Sequence, residues 1–223
     1  MGARRFEPLK NLADELRELG AASVGFSDLD VTQNESVENF HHQLTAKHPV
    51  VDVLFNNAGM ALGTEPVAQG ELGEWEQVIN TNLTGLLRIT RKILPGMIEH
   101  RSGQIINMGS VAAFNVYEGG AIYCATKHAV RAITQTLRLE VNGTGIRVCS
   151  IDPGMVETDF SKVRFRGDEQ RASKVYQGMT PLTGDDIAEC VDFVINRPAH
   201  VNIDQITLMP TDQASVSKVA RKT

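Results

Sequence analysis

Two hydrophobic patterns alternate along the chain from one end to the other. Short apolar runs, which are typical of strands, occupy residues 22–29, 50–55, 104–108, 147–151 and 206–208. Stretches in which apolar residues recur at helical spacing occupy residues 6–19, 34–47, 74–98, 122–141 and 187–195. Strands that alternate with helices of this length predict an α/β fold built on a doubly wound parallel sheet. No repeat or linker interrupts the pattern, so residues 1–223 are predicted to form a single domain.

Local signals set several boundaries of these elements. Gly20 follows the first helical stretch at a position where a glycine commonly ends a helix. Thr183 and Asp186 have the spacing of a capping box, which predicts the start of a helix. Pro95 predicts a kink or a break near the end of the long third helix. Residues 153–182 form the one long stretch without a regular period, and such loops beyond strand ends are usually functional in this architecture.

Composition and charge exclude several classes of protein. The formal net charge is −5, which indicates no basic surface for nucleic acid. No apolar stretch approaches the roughly 20 residues of a membrane helix, and the N-terminus has no signal-peptide core. The 3 cysteines are scattered without metal-ligand spacing, which favours a reducing cytoplasm, and no metal site is predicted. The basic residues 217–222 are predicted to form a solvated tail.

One pair of side chains suggests acid/base chemistry. Tyr123 and Lys127 are four residues apart in a predicted helix, which puts both on one face. A tyrosine with a pKa of about 10 is a poor proton donor or acceptor at neutral pH. A neighbouring ammonium group stabilises the phenolate and moves this pKa toward the operating range. The pair alone has little specificity, because such pairs also arise by chance on exposed helix faces.

Further polar residues lie where predicted strands end. Ser110 follows the strand over residues 104–108, at the end where doubly wound sheets bind ligands, and its hydroxyl can bind a substrate carbonyl. Asn57 belongs to an Asn-Asn-Ala-Gly run after the strand over 50–55, where small residues let a cofactor approach the backbone. Asn82 lies between Asn80 and Gly85, and amides and a glycine are unusual inside a long helix.

These motifs together resemble the short-chain dehydrogenase/reductase superfamily, whose fold is Rossmann-like. The matching motifs, in chain order, are Asn-Asn-Ala-Gly at 56–59, Asn-x-Asn-Leu-x-Gly at 80–85, Gly-Ser at 109–110, Tyr-x-x-x-Lys at 123–127 and Pro-Gly at 153–154. The resemblance implies that Tyr123 is the general acid/base and that Lys127 is its partner, which also holds the nicotinamide ribose. It implies that Ser110 orients the carbonyl and that Asn82 holds a proton-relay water.

The resemblance also implies how a nicotinamide cofactor is bound. Asp30 and Asn57 resemble contacts to the adenosine half, and Val156 resembles a contact to the nicotinamide carboxamide. Arg4 and Arg5 stand where this family selects its cofactor, beyond the second strand. Two guanidinium groups there favour NADP, because they can bind its 2′-phosphate bidentately.

A narrower similarity, over residues 160–168, 198–203 and 209–211, is to NADP-dependent 3-hydroxy acid dehydrogenases. This branch oxidises serine, allo-threonine and short 3-hydroxy acids, so a substrate carboxylate is implied. Arg164 or Arg166 could bind it, or both could merely solubilise the loop. A 3-oxoacyl thioester or other carbonyl reductase is the alternative activity. The resemblance further suggests a homotetramer.

The family's glycine-rich turn is not found in this sequence. No Gly-x-x-x-Gly-x-Gly precedes Arg4, although its amides and a helix N-terminus normally bind the cofactor pyrophosphate. We therefore expect the first strand, the first helix and most of the second strand to be absent from this chain. The remaining strands should lack neighbours, and the 223-residue chain should bind NADP poorly. A catalytically silent remnant, serving as a binding or structural module, is the second functional hypothesis.

Overall fold

Parallel strands form the frame of the fold and divide into two sheets. The computed structural model of the protein describes residues 1–222. The strands in this part of the chain are β1 (Gly2–Ala3), β2 (Ser27–Asp28), β3 (Val53–Asn56), β4 (Gly103–Met108), β5 (Ile146–Pro153) and β6 (Gln205–Leu208). β1 pairs with β2, and the other four form a parallel sheet in the order β3-β4-β5-β6. No strand of residues 1–222 joins the two sheets, which agrees with the expectation that some strands lack neighbours.

The α-helices largely follow the predicted stretches. Within residues 1–222 they are α1 (Phe6–Glu18), α2 (Asn34–Lys47), α3 (Leu72–Ile79), α4 (Leu86–His100), α5 (Ala121–Glu140), α6 (Phe160–Arg164), α7 (Glu169–Lys174) and α8 (Gly184–Ile195). The capping box is confirmed, because the side chains of Thr183 and Asp186 each accept a hydrogen bond from the other's main-chain N–H. None of the helices described is long and apolar enough to cross a membrane.

Helices cover both faces of the four-stranded sheet. On one face, Ile105 and Val148 of the sheet pack with α2, α4 and α5. On the other face, Ile106 and Ile151 pack with α8, in a cluster that also contains Cys149. Alternate residues of β4 and β5 therefore enter opposite cores, as expected for a parallel sheet that is buried on both sides. The predicted α/β fold with a doubly wound sheet is confirmed.

The long helical region in the middle of the chain changes type where its sequence is unusual. α3 passes into a π-helical turn over Asn80–Gly85, and α4 follows without a break. A Cβ atom at Gly85 would lie 2.6 Å from Cγ2 of Val31, so a glycine is needed for this close approach to the segment after β2. Pro95 lies inside α4, and the helix continues beyond it to His100, so the predicted break does not occur.

The segment beyond β5 is more ordered than the sequence predicted. α6 and α7 lie within it, and the basic tail packs against it. The Arg221 guanidinium donates to the carbonyl oxygens of Val175 and Gln177, and the Lys222 main-chain N–H donates to Gly178 at 2.7 Å. Five of residues 217–222 are nevertheless exposed, as predicted for a solvated tail, and the contacts of Arg221 and Lys222 add to that prediction. The carbonyl groups that follow α7 need donors, and the tail supplies them.

The smaller sheet is joined to the larger one by side chains. Phe40 of α2 and Val31 after β2 pack against the cluster formed by α4 and the larger sheet. Arg88 of α4 donates to the carbonyl oxygen of Val31 at 3.2 Å and to the Asn34 side chain at 2.7 Å. Packing and a few side-chain hydrogen bonds, rather than a strand ladder, thus hold β1 and β2 in place.

Candidate active site

The predicted site residues collect at the carboxyl ends of the strands. Arg4 and Arg5 follow β1, Asp30 follows β2, Asn57 follows β3, Ser110 follows β4 and Val156 follows β5. In a parallel sheet these ends share one edge, which is where α/β folds bind ligands. The topology therefore gathers residues that are more than 150 positions apart in the sequence.

Tyr123 and Ser110 meet at the start of α5. The Ser110 side chain lies close enough to the Tyr123 hydroxyl to act on its pKa, and the Tyr123 ring packs edge-on against Phe160 at 5.4 Å between centroids. Burial raises the pKa of Tyr123 above its usual range, and the Ser110 side chain opposes this effect only in part. We expected Lys127 to lower this pKa. In the structure burial outweighs the nearby charges, so Tyr123 retains its proton at neutral pH.

Lys127 is a buried cation next to this pair. Its Nζ atom donates to the carbonyl oxygen of Met108 at 2.7 Å and lies 5.7 Å from the centroid of the Tyr123 ring. A Cβ atom at Gly59 would lie 3.7 Å from Nζ, so the loop after β3 also approaches the ammonium group. Burial lowers the pKa of Lys127 to about 8, although the charge of Asp152 opposes this.

Replacing Lys127 with methionine is expected to stabilise the fold at neutral pH. The pKa of this lysine falls from 10.5 in the unfolded chain to about 8 in the folded protein, so burying the charge costs about 3 kcal/mol at pH 7. The unfolded chain binds the extra proton between about pH 8 and 10.5, so the wild-type protein should gain stability relative to Lys127→Met across this range. Urea unfolding at several pH values measures the difference.

Lys10→Met is the matched control, because Lys10 is exposed on α1. Its replacement removes an exposed charge and no buried one, so it should not reproduce the gain in stability expected for Lys127→Met at neutral pH. A Lys127→Met protein that is less stable than the wild type at pH 7 would contradict the assignment of a buried charge.

Asn82 connects the loop after β3 to α5. It lies in the π-helical turn, and its side chain accepts from the Met60 N–H and donates to the Met60 carbonyl, both at 2.8 Å. It also donates to Thr126 Oγ1 at 3.1 Å, and Thr126 donates in turn to the Tyr123 carbonyl. Both N–H groups of Asn82 are used by protein atoms, so its side chain has only a lone pair of Oδ1 left for a water molecule.

The residues assigned to the adenosine half of a cofactor lie around the ends of β1 and β2. Asp30 accepts hydrogen bonds from the Thr32 main chain and side chain. Burial alone would raise the pKa of Asp30, but the Thr32 hydrogen bonds and the charges of Arg4 and Arg88 lower it. Arg5 is largely exposed and lies 3.7 Å from the carboxylate of Asp159. Asp30 is therefore ionised at neutral pH.

The Pro-Gly segment after β5 is held on both sides. The Met155 N–H donates to Gln213 Oε1 at 2.7 Å, and the Val156 carbonyl accepts from the Tyr176 hydroxyl at 2.8 Å. Gln213 is 5% exposed, so the chain beyond β6 buries a polar side chain to fix this segment. Val156 is thereby positioned beyond the carboxyl end of β5, on the edge of the candidate site.

Arg164 brings a guanidinium group beside Tyr123. It donates to the Tyr117 hydroxyl at 2.9 Å and to the Gly63 carbonyl at 3.3 Å. Its central carbon lies 5.9 Å from the centroid of the Tyr123 ring, and both residues line a small pocket together with Trp75. A guanidinium group has five N–H donors, so donors remain for an anionic ligand in this pocket.

Arg166 has a different environment from Arg164. Its guanidinium group binds the carboxylates of Glu65 and Glu74, with two N–O contacts of 2.9 and 3.3 Å to the first and two of 2.6 and 2.7 Å to the second. Its backbone is left-handed, with φ at 55°. All of these contacts would have to break before Arg166 could bind a substrate, so Arg166 in this arrangement fastens α6 to α3.

Several residues of the site were not found from the sequence. Asp152 lies fully buried between Ser110 and Lys127, and Tyr117 binds Arg164. An aspartate at the end of an apolar strand was a usable signal, because a carboxylate is rarely buried without a purpose. Tyr117 had no such signal, since its contact joins segments 47 residues apart. No group of three potential metal ligands occurs within residues 1–222.

Comparison with known proteins places this geometry in a family. The short chain dehydrogenase family profile matches residues 1–169. The NADP-dependent 3-hydroxy acid dehydrogenase YdfG of Salmonella typhi is 45% identical over 212 residues, which are 95% of this chain and 84% of that protein. The serine 3-dehydrogenase of Rhizobium radiobacter is 42% identical over 211 residues, which are 95% of this chain and 83% of that protein.

A solved structure agrees with the sequence relatives. The closed form of a serine dehydrogenase complexed with NADP+ superimposes with a TM-score of 0.92 at 41% identity, covering 100% of this chain and 88% of that chain. The fold, the order of the motifs and the family match thus agree over most of the sequence. The chain belongs to the short-chain dehydrogenase family.

Proposed function

We propose that this protein is an NADP-dependent oxidoreductase that interconverts a short 3-hydroxy acid, such as serine, allo-threonine or 3-hydroxypropanoate, and its keto form. The observation that carries the substrate class is the position of Arg164, whose guanidinium group lies in the same pocket as Tyr123. The names of the two relatives and of the solved serine dehydrogenase support the same class.

The chain's own residues account for the proton transfer. Tyr123, which retains its proton at neutral pH, is the general acid that protonates a carbonyl oxygen and, in the reverse direction, accepts the hydroxyl proton. Ser110 orients that oxygen, and Asn82 holds the loop after β3 against α5. Arg164 binds the substrate carboxylate. These assignments of Asn82, Ser110, Tyr123 and Lys127 to catalysis support each other, because all four converge on the start of α5.

The residues present fit most of NADP. Lys127 has three N–H donors and one protein acceptor, Met108, so two donors remain for the hydroxyl groups of the nicotinamide ribose. Val156 would contact the carboxamide, and Asp30 and Asn57 would contact the adenosine half. When bound, the cofactor supplies the hydride acceptor or donor. The glycine-rich turn for the pyrophosphate has no counterpart in residues 1–223.

An assay of cofactor reduction tests the proposal. The protein is supplied with NADP and with L-serine, 3-hydroxypropanoate or a simple alcohol of similar size, and formation of NADPH is followed. The assay is run on the chain alone and on the chain preceded by the glycine-rich segment that the family resemblance implies. Faster turnover of both hydroxy acids supports the proposal. Preference for reducing 3-oxoacyl thioesters would favour the alternative activity, and inactivity of both forms would favour a binding module.

Removing both arginines after β1 is expected to abolish the preference for NADP over NAD. Arg4 and Arg5 directly follow β1, the charge of Arg4 acts on Asp30, and each charge-assisted contact to the 2′-phosphate contributes about 1.5–3 kcal/mol. The double change to alanine should therefore weaken NADP binding at least roughly tenfold and NAD binding much less. Calorimetric titration with both cofactors measures this.

Arg17→Ala is the control for the loss of positive charge. Arg17 lies on α1, pairs with Asp14 and donates to the carbonyl oxygen of Val24, which precedes β2, whereas Arg4 and Asp30 follow the carboxyl ends of β1 and β2. Its replacement should leave the ratio of the two affinities unchanged. Equal affinity of the wild-type protein for NADP and NAD would refute the cofactor assignment.

We further propose that residues 1–223 act as one domain and that the protein is a cytoplasmic homo-oligomer, a tetramer by family resemblance. Free thiols at Cys124, Cys149 and Cys190 support a reducing compartment. Large apolar side chains such as Val116 and Leu139, each more than 70% exposed, support burial against further subunits.

A further inference from the structure

Asp152 is a buried carboxylate that the proposed proton transfer does not use. It is 0% exposed and lies near the end of β5. Its Oδ1 atom accepts hydrogen bonds from the Ser110 main-chain N–H and the Ser150 hydroxyl, both at 3.0 Å. Its Oδ2 atom has no hydrogen-bond partner within residues 1–222. Burying an incompletely paired carboxylate is expensive, so its presence needs a reason.

The surrounding chain is shaped to admit this carboxylate. A Cβ atom at Gly109 would lie 1.7 Å from Oδ1 of Asp152 and 2.7 Å from the Ser150 hydroxyl, so only a glycine fits there. Gly109 immediately precedes Ser110, at the point where the chain leaves β4. The close approach of Gly109 to Asp152 therefore brings the main chain at Ser110 against β5.

Two cations face the same carboxylate from α5. The charges of Lys127 and Arg131 both act on Asp152, and Arg131 stacks on the Phe114 ring at 4.4 Å. Burial raises the pKa of Asp152, while its hydrogen bonds from Ser150 and Ser110 and the two cations oppose this. Asp152 is in turn the only charged group within residues 1–222 that counteracts the effect of burial on Lys127; Tyr123, on the same helix, faces Lys127 with its ring.

We propose that Asp152 is the positioning residue of this active site, fixing the main chain at Ser110 through Oδ1 and placing a negative charge opposite the Lys127 ammonium group. Because Ser110 and Lys127 act on substrate and cofactor, this role rests on the proposed function. One buried side chain thereby links the two strands and the helix whose ends form the site. Its effect on the reaction is indirect, since it is not placed to contact the substrate.

The direct test is the titration of Lys127 in the cofactor-free protein. Lysine labelled at its ε carbon is followed by NMR against pH, and the signal of Lys127 is identified by its loss in Lys127→Met. In the wild-type protein the midpoint is expected at about 8. Asp152→Asn retains an oxygen for the Ser110 and Ser150 donors but has no charge, so the midpoint should fall by about one pH unit or more.

Two further variants separate the effect of the Asp152 charge on the Lys127 midpoint from the effect of the Asp152 hydrogen bonds. Ser150→Ala removes one hydrogen bond to Asp152 but leaves the carboxylate charge, so the midpoint should stay near that of the wild type. Asp152→Ser is smaller and also uncharged, so the midpoint should fall as in Asp152→Asn. If Asp152→Asn does not fold, the Asp152→Ser titration decides, and an unchanged or higher midpoint overturns the proposal.

Activity gives a second, separable result. Asp152→Asn should lower kcat at neutral pH by roughly tenfold or more, with a smaller change in KM, because the ammonium group of Lys127 beside Tyr123 loses the charge that favours its protonated form. A folded Asp152→Asn protein with an unshifted Lys127 midpoint would refute the proposed role. If no variant or wild-type protein reduces NADP, the proposed function fails, while the titration still reports whether Asp152 holds the charge of Lys127.

Discussion

Replacing Tyr123 with phenylalanine is expected to lower kcat by roughly 100-fold or more, because it removes the proton donor and leaves the ring in place. The edge-on packing of the ring against Phe160 does not depend on the hydroxyl, so the fold should be retained. Because burial holds the pKa of Tyr123 above its usual range, the wild-type enzyme should reduce the keto substrate at a nearly constant rate through neutral pH. Steady-state kinetics in both directions measure these effects.

Tyr117→Phe provides the matched control in the same site. The Tyr117 hydroxyl binds Arg164, so its loss should affect KM for the substrate more than kcat. Thermal unfolding of both variants verifies that they are folded. If Tyr123→Phe has a near-normal kcat, Tyr123 is not the proton donor, and the role that the family resemblance implies for it is refuted.

Replacing Arg164 with methionine should reduce kcat/KM for L-serine by roughly 10- to 100-fold and should hardly change it for serinamide. A charge-assisted hydrogen bond contributes about 1.5–3 kcal/mol, and only the carboxylate substrate forms one. The hydrogen bonds from Arg164 to Tyr117 and Gly63 lie within the protein, so their loss affects both substrates equally. The comparison of the two substrates therefore isolates the contact to the carboxylate.

Replacing Arg166 with glycine tests whether Arg166, rather than Arg164, binds the substrate carboxylate. Glycine adopts the left-handed backbone of this residue without strain, so the change removes the guanidinium group and leaves the turn. Loss of the contacts to Glu65 and Glu74 should impair serine and serinamide alike, because it loosens α6 as a whole. A selective loss with serine would instead identify Arg166 as the carboxylate ligand and Arg164 as a packing residue.

The sequence predicted the fold class well because buried strands and amphipathic helices have periods that are visible in the sequence. β4 and β5 differ from their predicted ranges by one or two residues. The strand predicted over residues 22–29 is only two residues long, β2, since its length depends on a pairing partner and β1 is equally short. Local periodicity does not record whether a neighbouring strand is present.

The contacts of the site were harder to predict than its residues. Tyr123, Lys127, Ser110 and Asn82 were identified by motif, and the structure brings them together. The two carboxylates that bind Arg166 lie 92 and 101 residues away in the sequence, so the spacing of the loop could not separate Arg166 from Arg164. The pKa of Tyr123 was misjudged for a related reason, because burial is a property of the packed chain.

The division of the strands into two sheets should appear in the order in which backbone amides exchange with solvent. β1 and β2 share only two paired positions, whereas β4 and β5 share six and lie between two cores. Residues 1–33 should therefore open and exchange their amide hydrogens at a lower free energy than the larger sheet. Arg4 and Asp30 lie on the part that opens first, while Lys127 lies on the part that opens last. A ligand that contacts both the smaller sheet and Lys127 should slow amide exchange most at β1 and β2, far from the atoms that react.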